Sequence, residues 1–162
     1  MTMDPLAFRQ AMSRFAAGVT VVTTLDDDGT PWGFTASSFA SVSLHPPLVL
    51  VCLAYDADSA PAFEACERFA VNIIGEHDCA LGLRFASRGV DKFAGASFVP
   101  GEFGQPTLPS SIATVECDVE HRYEGGDHMI LVGRVRAARA TDEEPIVYFD
   151  RGFRHLGESI AD

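Results

Sequence analysis

The chain has 162 residues, 47% of them apolar, with 12 basic against 23 acidic residues and a net charge of −11. That length suits one domain spanning 1–162, which can bury about 70% of its unfolded surface without metal or disulfide staples. So acidic a chain has no general pull toward nucleic acid or anionic lipid, and no apolar run of about 18 residues is present to span a membrane. Met1-Thr2-Met3-Asp4-Pro5 lacks a basic stretch followed by an apolar one, so no secretory signal is expected. A soluble cytoplasmic protein is the expectation.

In chain order, Asp4-Pro5 reads as a helix start, with an Asp to cap free N–H groups and a Pro at the first helical position. Phe8, Met12 and Phe15 follow on one apolar face, and Gly18 is expected to close the helix. Val19 to Leu25 reads as a strand. Asp26 to Gly29 supplies a turn, and Pro31 to Ala36 returns as its partner. Leu48 to Ala54 is continuously apolar, the pattern of a strand buried on both sides. A short helix is predicted from Ser59 to about Arg68, a strand over Phe69 to Ile74, and another helix from His77 to about Ala86. Gly95 to Pro109 reads as loop. Ile112 to Tyr123 and His128 to Ala138 alternate around Gly125-Gly126 and read as a hairpin, with Pro145 to Phe153 a last strand or extended tail. Strands outnumber helices and short turns join several of them, which favours an antiparallel barrel over a parallel doubly wound sheet.

Familiar catalytic signatures are missing. There is no Gly-x-Gly-x-x-Gly, no Gly-Lys-Ser/Thr loop and no Gly-x-Ser-x-Gly elbow. Cys52, Cys66, Cys79 and Cys117 show no Cys-x-x-Cys spacing, and five scattered histidines form no His-Glu-x-x-His, so no metal is expected. Three segments stand out instead. Thr35, Ser37, Ser38, Ser41 and Ser43 crowd five hydroxyls into nine residues. Such a segment can hold phosphate or the polar edge of a heterocycle, or serve simply as a turn-rich loop. Arg84, Arg88 and Lys92 form a local basic patch suited to phosphate or to a helix end. His128, after Gly125-Gly126-Asp127, can reach a ligand from a tight turn, or be incidental to that turn. Trp32 and Phe34 alternate on a predicted strand and fit core or dimer packing better than a ring stack.

Eight short stretches in one order carry a resemblance over Phe8 to Leu156. They are Arg14 to Thr24, Thr35 to Ser43, Pro46 to Val49, Arg68 to Asn72, Arg84 to Ser87, Asp91 to Gly95, Gly126-Asp127-His128 and Pro145 to Phe149. Together they resemble the flavin reductase-like family, the small NAD(P)H:flavin oxidoreductases that serve two-component monooxygenases. The resemblance implies a mainly β split barrel of Greek-key type with short helices, which binds FMN, or FAD, and takes NADH, or NADPH. It also implies a homodimer and a separate monooxygenase that receives reduced flavin.

Carried onto this sequence, the resemblance puts Thr35, Ala36, Ser37 and Ser38 along the isoalloxazine and ribityl chain, with Ser41 and Ser43 nearby. Cys52 and Leu53 end the strand bordering the flavin. Phe85, Ala86 and Ser87, with Arg84 or Arg88, approach its phosphate. His128 lies near the nicotinamide, and Tyr148 and Phe149 close over it. Ala60-Pro61 departs from the Arg-Thr common in relatives, and Asp150-Arg151-Gly152-Phe153 ends without the usual Tyr and adds an acid. A non-catalytic flavin-binding electron carrier on the same barrel is the alternative reading, as is a partner-binding subunit of an oxygenase complex with a vestigial flavin site.

Overall fold

Asp4 caps the first helix, its carboxylate accepting from Leu6 N at 3.0 Å, and α1 runs Pro5–Met12. This computed structural model describes residues 3–160, so Met1 and Thr2 of the signal reading, and the last two residues of the 1–162 domain, lie outside it. The helix stops at Met12, well before Gly18, because Ser13 takes the cap. None of its residues is buried.

The remaining elements follow in order: β1 Ala17–Gly18, β2 Thr20–Leu25, β3 Pro31–Ala36, β4 Ala40–Leu44, β5 Pro47–Ala54, α2 Ala60–Ala65 and β6 Arg68–Ile73. A 3-10 turn at Glu76–Asp78 leads into α3, Cys79–Ala86. Then come β7 Val99–Pro100, β8 Pro106–Thr107, β9 Ala113–Gly125, β10 His128–Ala140, β11 Ile146–Phe149 and β12 Gly152–His155. The second predicted helix ends three residues early, since Arg68 already pairs with Asp118 across the β6–β9 ladder. The predicted loop of 95–109 contains the small β7–β8 pair, and the expected tail is a hairpin, β11–β12, joined to β1.

Seven strands pair antiparallel in the order β3-β2-β6-β9-β10-β5-β4. Strands β3 and β4 lie at opposite ends of that order, yet only Ser37, Ser38 and Phe39 separate them. The four steps from Ala36 to Ala40 reach about 14 Å at most, so the sheet must roll until its edges meet. Phe34 of β3, Val51 and Leu53 of β5, Phe63 of α2 and Leu131 of β10 share one core, as a rolled sheet requires. The result is a split barrel, and its seam runs between β3 and β5.

The strand buried on both sides is β2, not β5. Val22 faces the main core while Val19 and Val21 face a second cluster with Ile74, Phe85 and Ile146. Its threonines tolerate burial because each hydroxyl finds a carbonyl: Thr20 donates to Ala36, Thr23 to Pro106 and Thr24 to Arg68. Along β5 burial alternates, with Val49, Val51 and Leu53 inside and Leu48, Leu50 and Cys52 half-exposed on the outer face. Among the described residues no helix is long and apolar enough to cross a membrane.

Candidate functional site

At the seam, Ser38 fastens the β3–β4 connection to β5. Its hydroxyl accepts from Cys52 N at 3.0 Å and donates to Cys52 O at 3.2 Å. Beside this bridge lies a cavity of about 180 Å³. Its walls are Phe34 and Thr35 from β3, Cys52, Leu53 and Ala54 from β5, and Phe85, Ala86, Ser87 and Arg88 from the end of α3. Ala57, Asp58, Lys92 and His128 complete it. Three predicted segments, far apart in sequence, therefore converge here.

The apolar walls are core side chains. Phe34, Leu53 and Phe85 are each at most 6% exposed, and Phe34 packs edge-on against Phe63 at 5.0 Å. Thr35 donates to Gly82 O at 2.6 Å, which ties β3 to α3 across the cavity floor. Gly33 permits that approach: a Cβ there would lie 2.7 Å from the Phe85 ring and 2.8 Å from Val22 O.

Cations gather at one end. The half-buried Lys92 donates to Gly33 O at 3.1 Å, and Arg88 pairs with Asp56 at 2.8 Å on the surface. Burial pushes the Lys92 ammonium below the usual lysine pKa, with Asp58 opposing the shift. Arg84 is turned away: it donates to Ala94 O at 2.6 Å and is absent from the cavity lining. Past Lys92 and Asp58 the cleft continues into a hollow of about 210 Å³ between Thr30–Gly33 and Val90–Phe93.

A second, larger cavity of about 560 Å³ lies on the other side of the seam. Ser37, Ser38, His128 and Tyr148 face it, and α1 with the residues after it supplies Phe8, Arg9, Met12 and Phe15 as the opposite wall. His128 lines both cavities. It opens β10 directly after the two-residue loop Gly126-Asp127, one residue later than the predicted turn, with left-handed φ (73°) at Gly126. Asp127 lies 2.6 Å from its Nδ1, and that hydrogen bond holds the Asp127 carboxyl below the usual carboxylate range.

Not every predicted residue lies here. Ala36 is buried in the core behind the site, and Ser41 and Ser43 sit on β4, paired with β5 but lining neither cavity. Phe149 packs under Arg14 at 5.5 Å rather than in the second cavity. Sequence reasoning missed Asp58 and assigned Phe34 to packing, whereas Phe34 both packs and lines the first cavity. It also missed the α1 wall. The signal for that wall was present in the Phe8, Met12, Phe15 spacing, an apolar face on a helix too short to form a core of its own. Among the described residues no three His, Cys, Asp or Glu side chains converge as a metal site would need.

Residues 12–157 match the family described as the flavin reductase like domain. The chain belongs to the flavin reductase-like family. The actinorhodin polyketide dimerase of Streptomyces coelicolor is 48% identical over 157 residues, which cover 96% of this chain and 89% of that protein. The reductase subunit HsaB of a flavin-dependent monooxygenase from Rhodococcus jostii is 41% identical, covering 93% of this chain and 76% of its own. Among solved structures, the NADH:FAD oxidoreductase SgcE6 of Streptomyces globisporus, in complex with NAD and FAD fragments, superposes with a TM-score of 0.90. It shares 35% identity over 99% of both chains. The family match begins at Met12, so Phe8 and Arg9 of the α1 wall precede it.

Proposed function

We propose that this flavin reductase-like protein is an NAD(P)H:flavin reductase that supplies reduced flavin to a separate monooxygenase. The observation that carries this reading is the pair of cavities that share His128. A two-substrate hydride transfer needs two ring sites in contact, and a simple flavin carrier needs one.

The first cavity fits a flavin by its chemistry. Phe34, Leu53 and Phe85 offer apolar surface for a flat ring, while Ser87, Arg88 and Lys92 offer donors for a phosphate at the other end. The hollow beyond Lys92 gives room past the phosphate, so FAD fits the reading as well as FMN. When bound, the flavin supplies a ring position that accepts hydride from the nicotinamide. The protein's part is to hold the two rings face to face and exclude water. In the second cavity Ser37 and Ser38 present polar groups along the seam, Tyr148 covers one side, and His128 positions the nicotinamide amide. The direct transfer of a hydride calls for no protein proton donor, so His128 serves in binding. NADH is the favoured donor over NADPH, because in the sequence around Tyr148 the acids Glu143, Glu144 and Asp150 outnumber Arg151 and Arg154, which a further phosphate would need.

The reading extends to assembly. The register aligns Tyr123, Ile130 and Cys52 across β9, β10 and β5 on the outer face, all at least partly exposed. With Leu50, and with exposed Val42 and Leu44 on edge strand β4, they form an apolar face suited to a second copy of this chain. Four free cysteines suit a reducing cytoplasm.

Anaerobic mixing with FMN and NADH, followed at the oxidised-flavin and nicotinamide absorbance bands, tests the activity. Both bands should bleach together at catalytic protein concentration, and FAD and NADPH in their place rank the preferences. Flavin binding without nicotinamide consumption would overturn the reductase reading in favour of an electron carrier.

A further inference from the structure

Both proposed substrates are anions, and the protein carries a net charge of −11. Whatever attracts them must be local. Around the first cavity the cations are Lys92 and Arg88, the latter tied to Asp56. The second cavity has a different inventory. Its charged or titratable lining groups are Arg9, His128 and the Tyr148 phenol, and no carboxylate lines it. Arg14, one turn on, is held by Asp150 at 2.6 Å and is not in the lining. Arg9 makes no side-chain hydrogen bond or ion pair among the described residues. It is an unspent guanidinium on the wall of the larger cavity, flanked by Phe8 and Met12.

We propose that Arg9 is a substrate-binding residue that recognises the pyrophosphate of the reduced nicotinamide dinucleotide. The proposal rests on the reading of the second cavity as the nicotinamide site. A guanidinium presents a planar fork of donors that matches two phosphate oxygens at once. Its place on α1, opposite His128 and Tyr148, sets it on the far wall of the cavity from the seam where hydride must pass. That separation suits a dinucleotide whose ring end faces the seam and whose charged middle faces α1. Phe8 and Phe15, 53% and 75% exposed, then have an occupant: the adenosine half of the same molecule packs on them. Because Arg9 precedes residues 12–157, the contact belongs to the part of the chain outside the family match.

The test uses three probes: NADH, the uncharged hydride donor 1-benzyl-1,4-dihydronicotinamide, and ADP-ribose, which has the pyrophosphate and no nicotinamide. For Arg9→Gln, the KM for NADH should rise about fivefold to tenfold with kcat held, as loss of a charge-assisted contact at an exposed site implies. Turnover of the benzyl donor should be unchanged, and the calorimetric Kd for ADP-ribose should weaken by the same factor as the NADH KM. Arg9→Lys should recover part of both. Equal losses with the benzyl donor would overturn the proposal, since that donor has no phosphate. So would an unchanged ADP-ribose Kd. An active wild type with an indifferent Arg9→Gln refutes the Arg9 contact and leaves the reductase reading intact. ADP-ribose binding that depends on Arg9, in a protein that oxidises no NADH, does the reverse.

Discussion

The two cavities that meet at His128 are built in opposite ways. The first is cut into the barrel: its apolar walls are core side chains, and Phe34 and Phe85 belong to the two buried clusters. The second is closed by α1, which buries nothing, and by the β11–β12 hairpin. That wall is fastened by the Arg14–Asp150 ion pair, by Asp150 N donating to Ser13 O at 3.0 Å, and by Arg14 over the Phe149 ring. A site cut into a core inherits the stability of the fold. A wall held by a few exposed contacts opens locally at far lower cost. The looser wall suits the donor side of a reductase, where NADH must enter and its oxidised product leave in every cycle.

The contrast is sharpest for the core. Phe63 is fully buried and packs edge-on against Phe34, a wall of the first cavity. Phe63→Ala should cost about 3–5 kcal/mol by denaturant titration and carry flavin affinity down with it. If flavin affinity survives that loss, the first cavity is not an extension of the core.

Lys92→Gln comes next. It should weaken flavin binding about tenfold at low salt, with the difference shrinking as salt rises. The pH dependence has a definite sign. Burial lowers the Lys92 pKa, so the ammonium that attracts phosphate is lost as pH rises through that lowered value. Flavin affinity of the wild type should therefore fall before an ordinary lysine would deprotonate, while Lys92→Gln stays flat over that range. Stability moves the other way: the unfolded chain holds this proton more tightly, so folding gains as pH rises between the two pKa values. Reversing Arg84 should matter less than altering Lys92, since Arg84 faces Ala94 rather than the cavity.

His128 is the shared boundary. His128→Ala should raise the KM for NADH more than it lowers kcat, as removal of a binding contact does. A fall in kcat at constant KM would instead assign it a role specific to the transition state.

How much of this was legible beforehand depends on range. Local chemistry was readable: the Asp4 cap, the β2–β3 turn and the β9–β10 hairpin follow from residues a few positions apart. Motif order supplied the barrel and most of the first cavity, including Thr35, Cys52, Leu53, Phe85 and Ser87. What stayed hidden depends on the rolled sheet. Leu48–Ala54 looked doubly buried because composition registers apolar side chains and not what covers them, and its outer face is uncovered by this chain. The reverse held for β2, whose threonines look half-exposed until distant carbonyls are brought to their hydroxyls. Arg84, Arg88 and Lys92 formed one patch in sequence, yet the end of α3 sends Arg84 to the Ala94 carbonyl and leaves the other two in the cavity. The α1 wall was legible only in part: the Phe8, Met12, Phe15 spacing marks an apolar face, but only the closing hairpin makes that face the side of a cavity.

The smallest effect isolates the fastening of that wall. Asp150 and Arg151 sit in the tight turn of β11–β12 with φ of 49° and 63°, a conformation that Asn accepts more readily than most residues. Asp150→Asn therefore keeps the turn and removes only the charge that holds Arg14. Both partners are well exposed, with 64% and 43% of their side chains open to solvent. Denaturant titration should accordingly register less than about 1 kcal/mol, the range of surface ion pairs. The KM for NADH should still rise, by about twofold, with kcat and flavin affinity unchanged, because the wall that carries Phe8 and Arg9 has lost one of its tethers while the barrel has lost nothing. An equal change in flavin affinity would mean that the two cavities are mechanically one, and the division between a rigid flavin site and an adjustable donor site would fail.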